Sequence, residues 1–215
     1  MNYFLVFIIG VLIGSFPTAF IILKKTREID ITTAGTGNVG AMNSFEVTKS
    51  KWIGLSVLLL DLLKGILSVL IIKQFFNYDF SLLAVSLIGC VYSHCYNPWL
   101  KFKGGRGLAS AADGTAIIFP FALGVWGILW LIVYFMKKNI TIANFAASIL
   151  SLVIIMTSIS TAIKYTFPKP ESFSVLILFT IGLMLIIISK HTEPMQELFE
   201  NMKSIKRNNT NGTKQ

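Results

Sequence analysis

Residues 108–136 read LASAADGTAIIFPFALGVWGILWLIVYFM, an apolar run that Pro120 interrupts near its middle. As one straight helix the run would be about 43 Å long at 1.5 Å per residue, whereas the hydrocarbon core of a bilayer is only about 30 Å thick. Proline also lacks an amide hydrogen and disrupts the interior of a helix. The stretch therefore predicts two short helices or a hairpin, 108–119 and 121–136, in place of one crossing.

Further apolar runs along the chain have the length that a helix needs to span a bilayer. Only 13% of the 215 residues are charged and 54% are hydrophobic, whereas a soluble domain has about 25% charged residues. This composition excludes a soluble globular protein and predicts an all-α, polytopic membrane protein of about seven transmembrane helices with cytoplasmic motif loops. The remaining predicted spans are 3–23, 52–72, 80–96, 140–163 and 173–189. We expect one transmembrane domain over 1–192 and a polar cytoplasmic C-terminal tail over 193–215.

Basic residues concentrate at the ends of the apolar runs, and the net charge is +9. In a soluble protein this charge would suggest nucleic acid, but here it indicates membrane topology and anionic lipid, and no nucleic-acid partner. With 108–136 folded back and the N-terminus outside, 15 basic residues lie inside and 3 outside. With 108–136 as a single crossing the split is 10 to 8, so the positive-inside rule favours the hairpin. The predicted inside residues are Lys24, Lys25, Arg27, Lys49, Lys51, Lys101, Lys103, Arg106, Lys137, Lys138, Lys190, Lys203, Lys206, Arg207 and Lys214.

Two features of the sequence could suggest a cleaved signal peptide and a cysteine-based site, and we reject both interpretations. The basic pair Lys24 and Lys25 follows the first apolar run, which is typical of a retained transmembrane helix and not of a cleaved signal. Cys90 and Cys95 flank His94 near a helix end, but two cysteines make neither a disulfide framework nor a zinc site. The sequence predicts no metal site and no cofactor.

The first inside loop contains Gly35, Gly37 and Gly40 in the pattern G-x-G-x-x-G. A dinucleotide site would need a preceding strand and a βαβ unit, and neither is visible in the sequence. Glycines still allow backbone amides to approach an anion closely. The loop is thus either an anion site or simply a flexible surface loop, and composition does not separate the two.

The second inside loop, residues 97–107, places Lys103 and Arg106 among Gly104, Gly105 and Gly107 just before a helix begins. Glycines and basic side chains at a helix N-terminus make a phosphate cradle. The competing interpretation is a basic loop that only sets topology. Topology does not require three glycines in four positions, so the pattern favours an anion site.

Inside the second span, Asp61 and Lys64 lie three residues apart on one helical face. Charged groups at membrane depth are costly and usually pair or line a polar cavity. We interpret these two as a structural ion pair. His94 and His191 both fall near inside helix ends, close to the proposed anion loops.

In combination, order and spacing, these motifs resemble the bacterial acyl-phosphate-dependent glycerol-3-phosphate acyltransferases. The resemblance covers about residues 3–200. It is carried by Gly14-Ser15-Phe16-Pro17, Gly35-Thr36-Gly37-Asn38-Val39-Gly40-Ala41-Met42-Asn43, Leu60-Asp61-Leu62-Leu63-Lys64-Gly65, His94 and Phe102-Lys103-Gly104-Gly105-Arg106-Gly107. It implies seven helices, three cytoplasmic motif loops and a place in the bacterial inner membrane, with the N-terminus outside and the C-terminus in the cytoplasm.

The resemblance also implies a reaction. A fatty acyl group would pass from acyl phosphate to the first hydroxyl of glycerol 3-phosphate and give lysophosphatidic acid for phospholipid synthesis. The implied partners are those two substrates, membrane lipids and possible lipid-synthesis enzymes. We expect Lys103 and His191 to be catalytic, with His94 or a substrate phosphate as other possible proton acceptors. The expected substrate-binding residues are Gly35, Thr36, Gly37, Asn38, Gly40, Asn43, Gly104, Gly105, Arg106 and Glu193.

In the first loop the family pattern is similar to D-x-R-x-x-G-S-G-N-x-G-A-T-N-x-x-R. In the third motif loop it is similar to H-R-E-N-I-x-R. This sequence departs from both patterns at several positions. Thr36 keeps a hydroxyl, whereas Glu46 and Glu197 reverse a charge where a doubly negative substrate is expected. The departures are Thr32, Thr36, Met42, Glu46, Thr192, Pro194 and Glu197. They leave a second hypothesis open, a divergent non-catalytic protein that binds a phosphorylated lipid precursor or a lipid-synthesis partner. A transporter would need repeat symmetry, and none is visible.

Overall fold

A computed structural model describes residues 2–76 and 78–212, with side chains as far as residue 204. Every regular element in this part of the chain is helical. Two single-turn 3-10 helices, Pro98–Leu100 and Ile163–Tyr165, complete the element order. The α-helices are α1 (Asn2–Gly14), α2 (Thr18–Arg27), α3 (Ala41–Thr48), α4 (Lys51–Phe75), α5 (Phe80–Cys95), α6 (Leu108–Ile118), α7 (Pro120–Lys137), α8 (Ile140–Thr157), α9 (Ile159–Ala162) and α10 (Phe173–Gly212).

Six helical segments are long and apolar enough to cross a membrane, and α6 is a shorter apolar helix beside them. A helix satisfies its own backbone hydrogen bonds, which is what hydrocarbon demands. The predicted class, an all-α polytopic membrane protein of about seven apolar helices, is confirmed. The six segments are Asn2–Arg27, Lys51–Phe75, Phe80–Leu100, Pro120–Lys137, Ile140–Thr157 and Phe173–Ser204.

The stretch 108–136 divides at Phe119, as the proline predicts. The Phe119 amide donates to the Thr115 carbonyl at 2.7 Å and closes α6, and Pro120 then begins α7. Leu108 and Trp126 line one apolar cavity, although a straight helix would separate them by about 27 Å. The chain therefore folds back between α6 and α7.

The first span differs from the prediction, because it is broken. α1 ends at Gly14 and α2 begins at Thr18, after Pro17. The Asn97 side-chain amide donates to the Ser15 carbonyl at 2.7 Å, and the Trp99 indole donates to the Ser15 hydroxyl at 3.0 Å. The loop after α5 thus gives the Ser15 carbonyl a partner at the break in the first helix and adds a second bond to the Ser15 side chain.

The later spans also differ in length. α8 ends at Thr157 and not near residue 163, and the short α9 follows it. The last helix continues past residue 189 and through Pro194 to Gly212. The predicted tail therefore begins inside α10, and residues 213–215 lie outside the described residues.

Small residues bring the helices close around α5, whose side chains are mostly buried. A Cβ atom on Gly10 or Gly14 of α1 would clash with the carbonyls of Ser86 and Cys90 of α5. Glycines permit this close backbone approach in helix pairs of membrane proteins. Because α1, α4, α6 and α10 all pack on α5, the loop that follows α5 lies at the centre of one end of the bundle.

Candidate functional site

A buried asparagine organises the first glycine loop. The Asn43 side chain accepts a hydrogen bond from the Thr36 amide at 3.0 Å and donates to the carbonyls of Ala34 and Asn38 at 3.0 and 2.9 Å. Gly35 has a left-handed φ of 60°, and a Cβ atom there would clash with the Asn43 side-chain oxygen. Glycine is required at this position because it alone fits against the asparagine in this conformation.

Most amides of this loop bond within the protein. Gly37 donates to the Ala34 carbonyl at 3.0 Å, Gly40 to the Asn38 carbonyl at 3.0 Å, and Asn38 to the Thr36 hydroxyl at 3.4 Å. A ligand at this loop would therefore meet chiefly the side chains of Thr36 and Asn38, and the glycines shape the loop.

The loop begins at a local turn around Asp30. The Asp30 carboxylate accepts hydrogen bonds from the Thr32 hydroxyl at 2.7 Å and the Thr32 amide at 2.9 Å. These two bonds stabilise the ionised carboxylate and hold the pKa of Asp30 below its ordinary value. Asp30 thus fixes Thr32, which stands where the family pattern has an arginine.

The second loop packs directly on the end of α5. The Gly105 amide donates to the His94 carbonyl at 3.0 Å. A Cβ atom on Gly104 would clash with the carbonyls of His94 and Cys95. Gly107 then caps α6 with a left-handed φ of 80°. The glycines therefore allow the backbone to lie flat on α5 and turn into α6.

The two loops are joined by two hydrogen bonds. The Val39 amide donates to the Gly104 carbonyl at 3.1 Å, and the Lys103 ammonium donates to the Thr32 carbonyl at 3.3 Å. Residues 65 and 71 positions apart in the sequence thus meet in one surface.

A polar cleft with a volume of about 260 Å³ lies between these loops and α10. Seven of the predicted site residues line it: Thr36, Gly37, Asn38, Lys103, Gly104, Arg106 and Glu193. Sequence analysis did not select three others, Thr32, Lys190 and Pro194. Lys190 could have been selected from the sequence, since it is a basic residue at the inner end of a predicted span and lies three residues before Glu193.

Three cations surround the cleft. Lys103 and Arg106 come from the second loop, and Lys190 comes from α10, where its ammonium lies 4.7 Å from the centre of the Tyr96 ring. Arg106 is half-buried, which lowers the pKa of its guanidinium, while nearby Glu46 and Glu197 raise it. An arginine stays charged under such shifts. The two residues that reverse a charge relative to the family pattern therefore stand close enough to Arg106 to act on its charge.

The other predicted site residues do not line the cleft. Gly35, Gly40, Asn43 and Gly105 support its walls through the contacts above. His191 is fully buried in α10, and its Nδ1 lies 2.8 Å from the Ile187 carbonyl oxygen. Since a carbonyl only accepts, Nδ1 carries the proton and Nε2 holds a lone pair. Nε2 has no hydrogen-bond partner among the described residues.

Below the second loop lies a buried charged cluster. The Lys64 ammonium donates to the Asp61 carboxylate at 2.7 Å, and the Thr18 hydroxyl donates to the same oxygen at 2.6 Å. The pair predicted from the sequence is therefore present, and the broken first helix joins it through Thr18. Nδ1 of His94 lies 3.7 Å from the same carboxylate oxygen.

An apolar cavity adjoins the polar cleft on its membrane side. Its volume is about 40 Å³, and it lies between α6, α7 and α10. Leu108 of its lining lies two residues after Arg106, and Ile187 lies one turn before Lys190. The two cavities share no lining residue, but on both α6 and α10 the apolar one begins within one helical turn of the cleft. Its other lining residues are Ala111, Ala112, Thr115, Ala122, Leu123, Trp126, Leu183 and Met184.

The described side chains contain no group of three or more His, Cys, Asp or Glu residues placed to hold a metal ion. Cys90 and Cys95 are both buried and carry free thiols.

Comparison with protein families gives a match over nearly the whole chain. A family model described as "Glycerol-3-phosphate acyltransferase" matches residues 4–201. A glycerol-3-phosphate acyltransferase from Campylobacter lari is 30% identical over 74% of this chain and 79% of its own. One from Desulforamulus reducens is 34% identical over 64% of this chain and 68% of its own.

The fold is similar to that of a solved membrane protein. The crystal structure of PlsY, an integral membrane glycerol 3-phosphate acyltransferase in its glycerol 3-phosphate form, matches with a TM-score of 0.75 and 25% identity. The match covers 94% of each chain. The lysophosphatidic acid form of the same protein matches with a TM-score of 0.73 over 94% of this chain and 93% of that one.

Proposed function

The chain belongs to the glycerol-3-phosphate acyltransferase family, and on this premise we propose that it transfers a fatty acyl group from acyl phosphate to the first hydroxyl of glycerol 3-phosphate. The product would be lysophosphatidic acid for phospholipid synthesis. One observation carries the proposal: Lys103, Arg106 and Lys190 converge on a cleft that adjoins an apolar cavity. A phosphate with a hydrocarbon chain needs both environments side by side.

The cleft suits a small phosphorylated alcohol. Its volume of about 260 Å³ admits such a molecule. The Lys103, Arg106 and Lys190 side chains supply positive charge for the phosphate, since ionised donors make the stronger hydrogen bonds. Thr36 and Asn38 supply neutral donors for hydroxyl groups. The related crystal structure in its glycerol 3-phosphate form supports the same acceptor for this chain.

The donor is an activated acyl group, so no covalent enzyme intermediate is needed. The acceptor hydroxyl oxygen attacks the carbonyl carbon, a new ester bond forms, and the bond from that carbon to the phosphate oxygen breaks. Inorganic phosphate leaves with the electron pair of that bond. Catalysis then consists of positioning the two phosphorylated substrates and stabilising their charge, with Lys103 at the centre of that task.

The proton of the attacking hydroxyl needs an acceptor. We propose His191 for this role, because the lone pair on Nε2 has no partner among the described residues. The ring is fully buried, so this assignment requires the residues around it to open when substrate binds. A substrate phosphate oxygen is the alternative acceptor and needs no such movement.

The non-catalytic hypothesis finds less support. The family match includes all three motif regions, and the cleft keeps its cations despite the reversed charges at Glu46 and Glu197. The chain is a multi-pass membrane protein, and we propose the bacterial inner membrane as its location. We further propose an outside N-terminus, a polar cytoplasmic tail from residue 193, and contact with membrane lipids and with the enzymes that supply acyl phosphate.

The decisive experiment uses the purified chain in lipid nanodiscs with radiolabelled glycerol 3-phosphate. We expect label in lysophosphatidic acid when acyl phosphate is present, and none when it is omitted or replaced by the free fatty acid. Binding of glycerol 3-phosphate without transfer would support the non-catalytic hypothesis. Absence of both binding and transfer in correctly folded protein would overturn the proposal.

A further inference from the structure

The contacts of His94 connect the buried charges of the bundle to the second loop. His94 is the penultimate residue of α5 and is only 6% exposed, and it does not line the polar cleft. Its Nδ1 lies 3.7 Å from the Asp61 carboxylate oxygen that Thr18 and Lys64 also contact. One edge of the ring therefore faces a carboxylate that two other helices hold in place.

The opposite edge of the ring faces Gly105. A Cβ atom on Gly105 would clash with Nε2 of His94 and would lie 2.8 Å from Cε1 and 3.0 Å from Cδ2. The ring thus occupies the space that a side chain at position 105 would need. The His94 carbonyl also accepts the Gly105 amide hydrogen at 3.0 Å, so backbone and side chain of one residue hold the same glycine.

Gly105 lies between two residues that line the cleft, Gly104 and Arg106. Any shift of Gly105 moves the Arg106 backbone directly. It also moves the Gly104 carbonyl, which accepts the Val39 amide and so holds the first loop. The position of His94 is therefore transmitted to both walls of the cleft.

Resting on the proposed function, we propose that His94 is a positioning residue for acyl transfer. Its ring, which lies between Asp61 and Gly105, sets the distance of Gly105 from α5 and with it the place of the Arg106 guanidinium against the substrate phosphate. A purely structural role predicts a loss of stability when the ring is removed. A positioning role predicts a loss of substrate affinity in a protein that remains folded.

The two neighbouring glycines provide a matched test, because an added methyl group meets different atoms at each. At Gly105 it meets the His94 ring, which a smaller side chain would withdraw. At Gly104 it meets the backbone carbonyls of His94 and Cys95, which no side-chain change can withdraw. With His94 shortened, Gly105→Ala should therefore have little further effect, whereas Gly104→Ala should keep its full effect.

The experiment compares Gly105→Ala, Gly104→Ala and His94→Asn with the two double variants that combine each glycine change with His94→Asn. We expect each single change to raise the KM for glycerol 3-phosphate about tenfold or more, since small misplacements of a binding group have effects of this size. We expect the melting temperature without ligand to change little for His94→Asn and to fall for the two glycine variants, whose added methyl groups clash. The double variant of His94→Asn with Gly105→Ala should have a KM close to that of His94→Asn alone, whereas Gly104→Ala should raise the KM of His94→Asn further.

Binding is measured as well as turnover, through the rise in melting temperature that glycerol 3-phosphate produces. An inactive wild-type protein that still shows this rise would defeat the proposed transfer reaction, but it would leave the His94 test intact. The positioning role is wrong if His94→Asn keeps the wild-type KM and ligand-induced rise. It is also wrong if Gly105→Ala raises KM as much in the His94→Asn variant as in the wild type, or if the effect of Gly104→Ala disappears there as well. If His94→Asn does not fold, His94→Gln is substituted in the same scheme.

Discussion

The Gly104 carbonyl oxygen accepts the Val39 amide hydrogen at 3.1 Å, and this contact makes one binding surface of two loops from distant parts of the sequence. Each loop is also fixed separately, the first by Asn43 and the second by the end of α5. A substrate phosphate therefore meets an arrangement of side chains that exists before binding. Preorganisation of this kind spares the ordering cost that binding would otherwise incur.

The first prediction concerns the Asn43 clamp, the three hydrogen bonds by which the Asn43 side chain holds the first loop. Asn43→Ala removes three hydrogen bonds in a residue that is 2% exposed. The Thr36 amide and two carbonyls lose their partner, and because the loop is only part-buried, water offsets some of the cost of about 1–3 kcal/mol that a fully buried unpaired group would carry. We expect kcat/KM to fall about tenfold or more, measured by radiolabelled acyl transfer.

Asn144→Ala is the matched control for the clamp. Asn144 is also buried, but it accepts from the Trp130 indole between α7 and α8, away from the cleft. We expect it to lower the melting temperature and to leave the KM for glycerol 3-phosphate unchanged. Equal effects of both variants on KM would mean that Asn43 acts only through global stability.

Lys103 gives the second prediction, since it lines the cleft and its ammonium faces the first loop. Lys103→Ala should lower kcat/KM by about 10- to 100-fold or more, because a hydrogen bond from a charged donor to phosphate contributes about 1.5–3 kcal/mol. The exposed neighbour Lys101 does not line the cleft, so Lys101→Ala should stay near wild type. Full activity of Lys103→Ala with correct membrane insertion would remove this lysine from the mechanism.

The third prediction concerns the reversed charge at Glu46, which stands near Arg106. The Glu46 carboxylate repels the substrate phosphate. At an effective dielectric of 20 and a separation of about 6 Å, each pair of like charges contributes roughly 3 kcal/mol before screening. Glu46 is exposed, so only a small part of this energy survives. Glu46→Arg should therefore lower the apparent KM for glycerol 3-phosphate several-fold at low salt and less at high salt.

The control for Glu46→Arg is the same change of charge at Glu28, which is exposed and does not line the cleft. Glu28→Arg tests whether any added positive charge attracts the substrate from a distance. If both variants lower KM equally, proximity to Arg106 has no special effect. If Glu46→Arg raises KM, the carboxylate helps to position the guanidinium.

Membrane orientation is the fourth prediction. Cys90 and Cys95 are buried, so we expect them to react little with a thiol reagent. Labelling then reports the single cysteine introduced elsewhere. We expect a cysteine at Ser204 to react only after the cells are opened, and one at Ser172 to react in intact cells. Labelling of the Ser204 position from outside would overturn the topology derived from basic residues.

Hydropathy was sufficient to predict where the helical spans lie, because hydrocarbon imposes a length on each crossing, but not where the first span breaks or where the later ones end. Pro17 by itself indicated a break in the first helix. How far the helix is interrupted could not be predicted, because it depends on Asn97 and Trp99, which bond to Ser15 from another loop. The glycine motifs located the cleft, but their geometry could not be predicted. The Asn43 clamp and the contact of His94 with Gly105 depend on tertiary packing that no periodicity encodes.

The broken first helix also constrains the order in which the protein can be assembled. The Ser15 carbonyl receives its hydrogen bond from Asn97, which is synthesised 82 residues later, and the Thr18 hydroxyl donates to Asp61, 43 residues later. A backbone group without a partner is costly in hydrocarbon. During biogenesis the first helix must therefore remain in contact with water, the translocation machinery or a transient partner until α4 and the loop after α5 have emerged. The earliest of the six spans in the chain is thus among the last to reach its final structure.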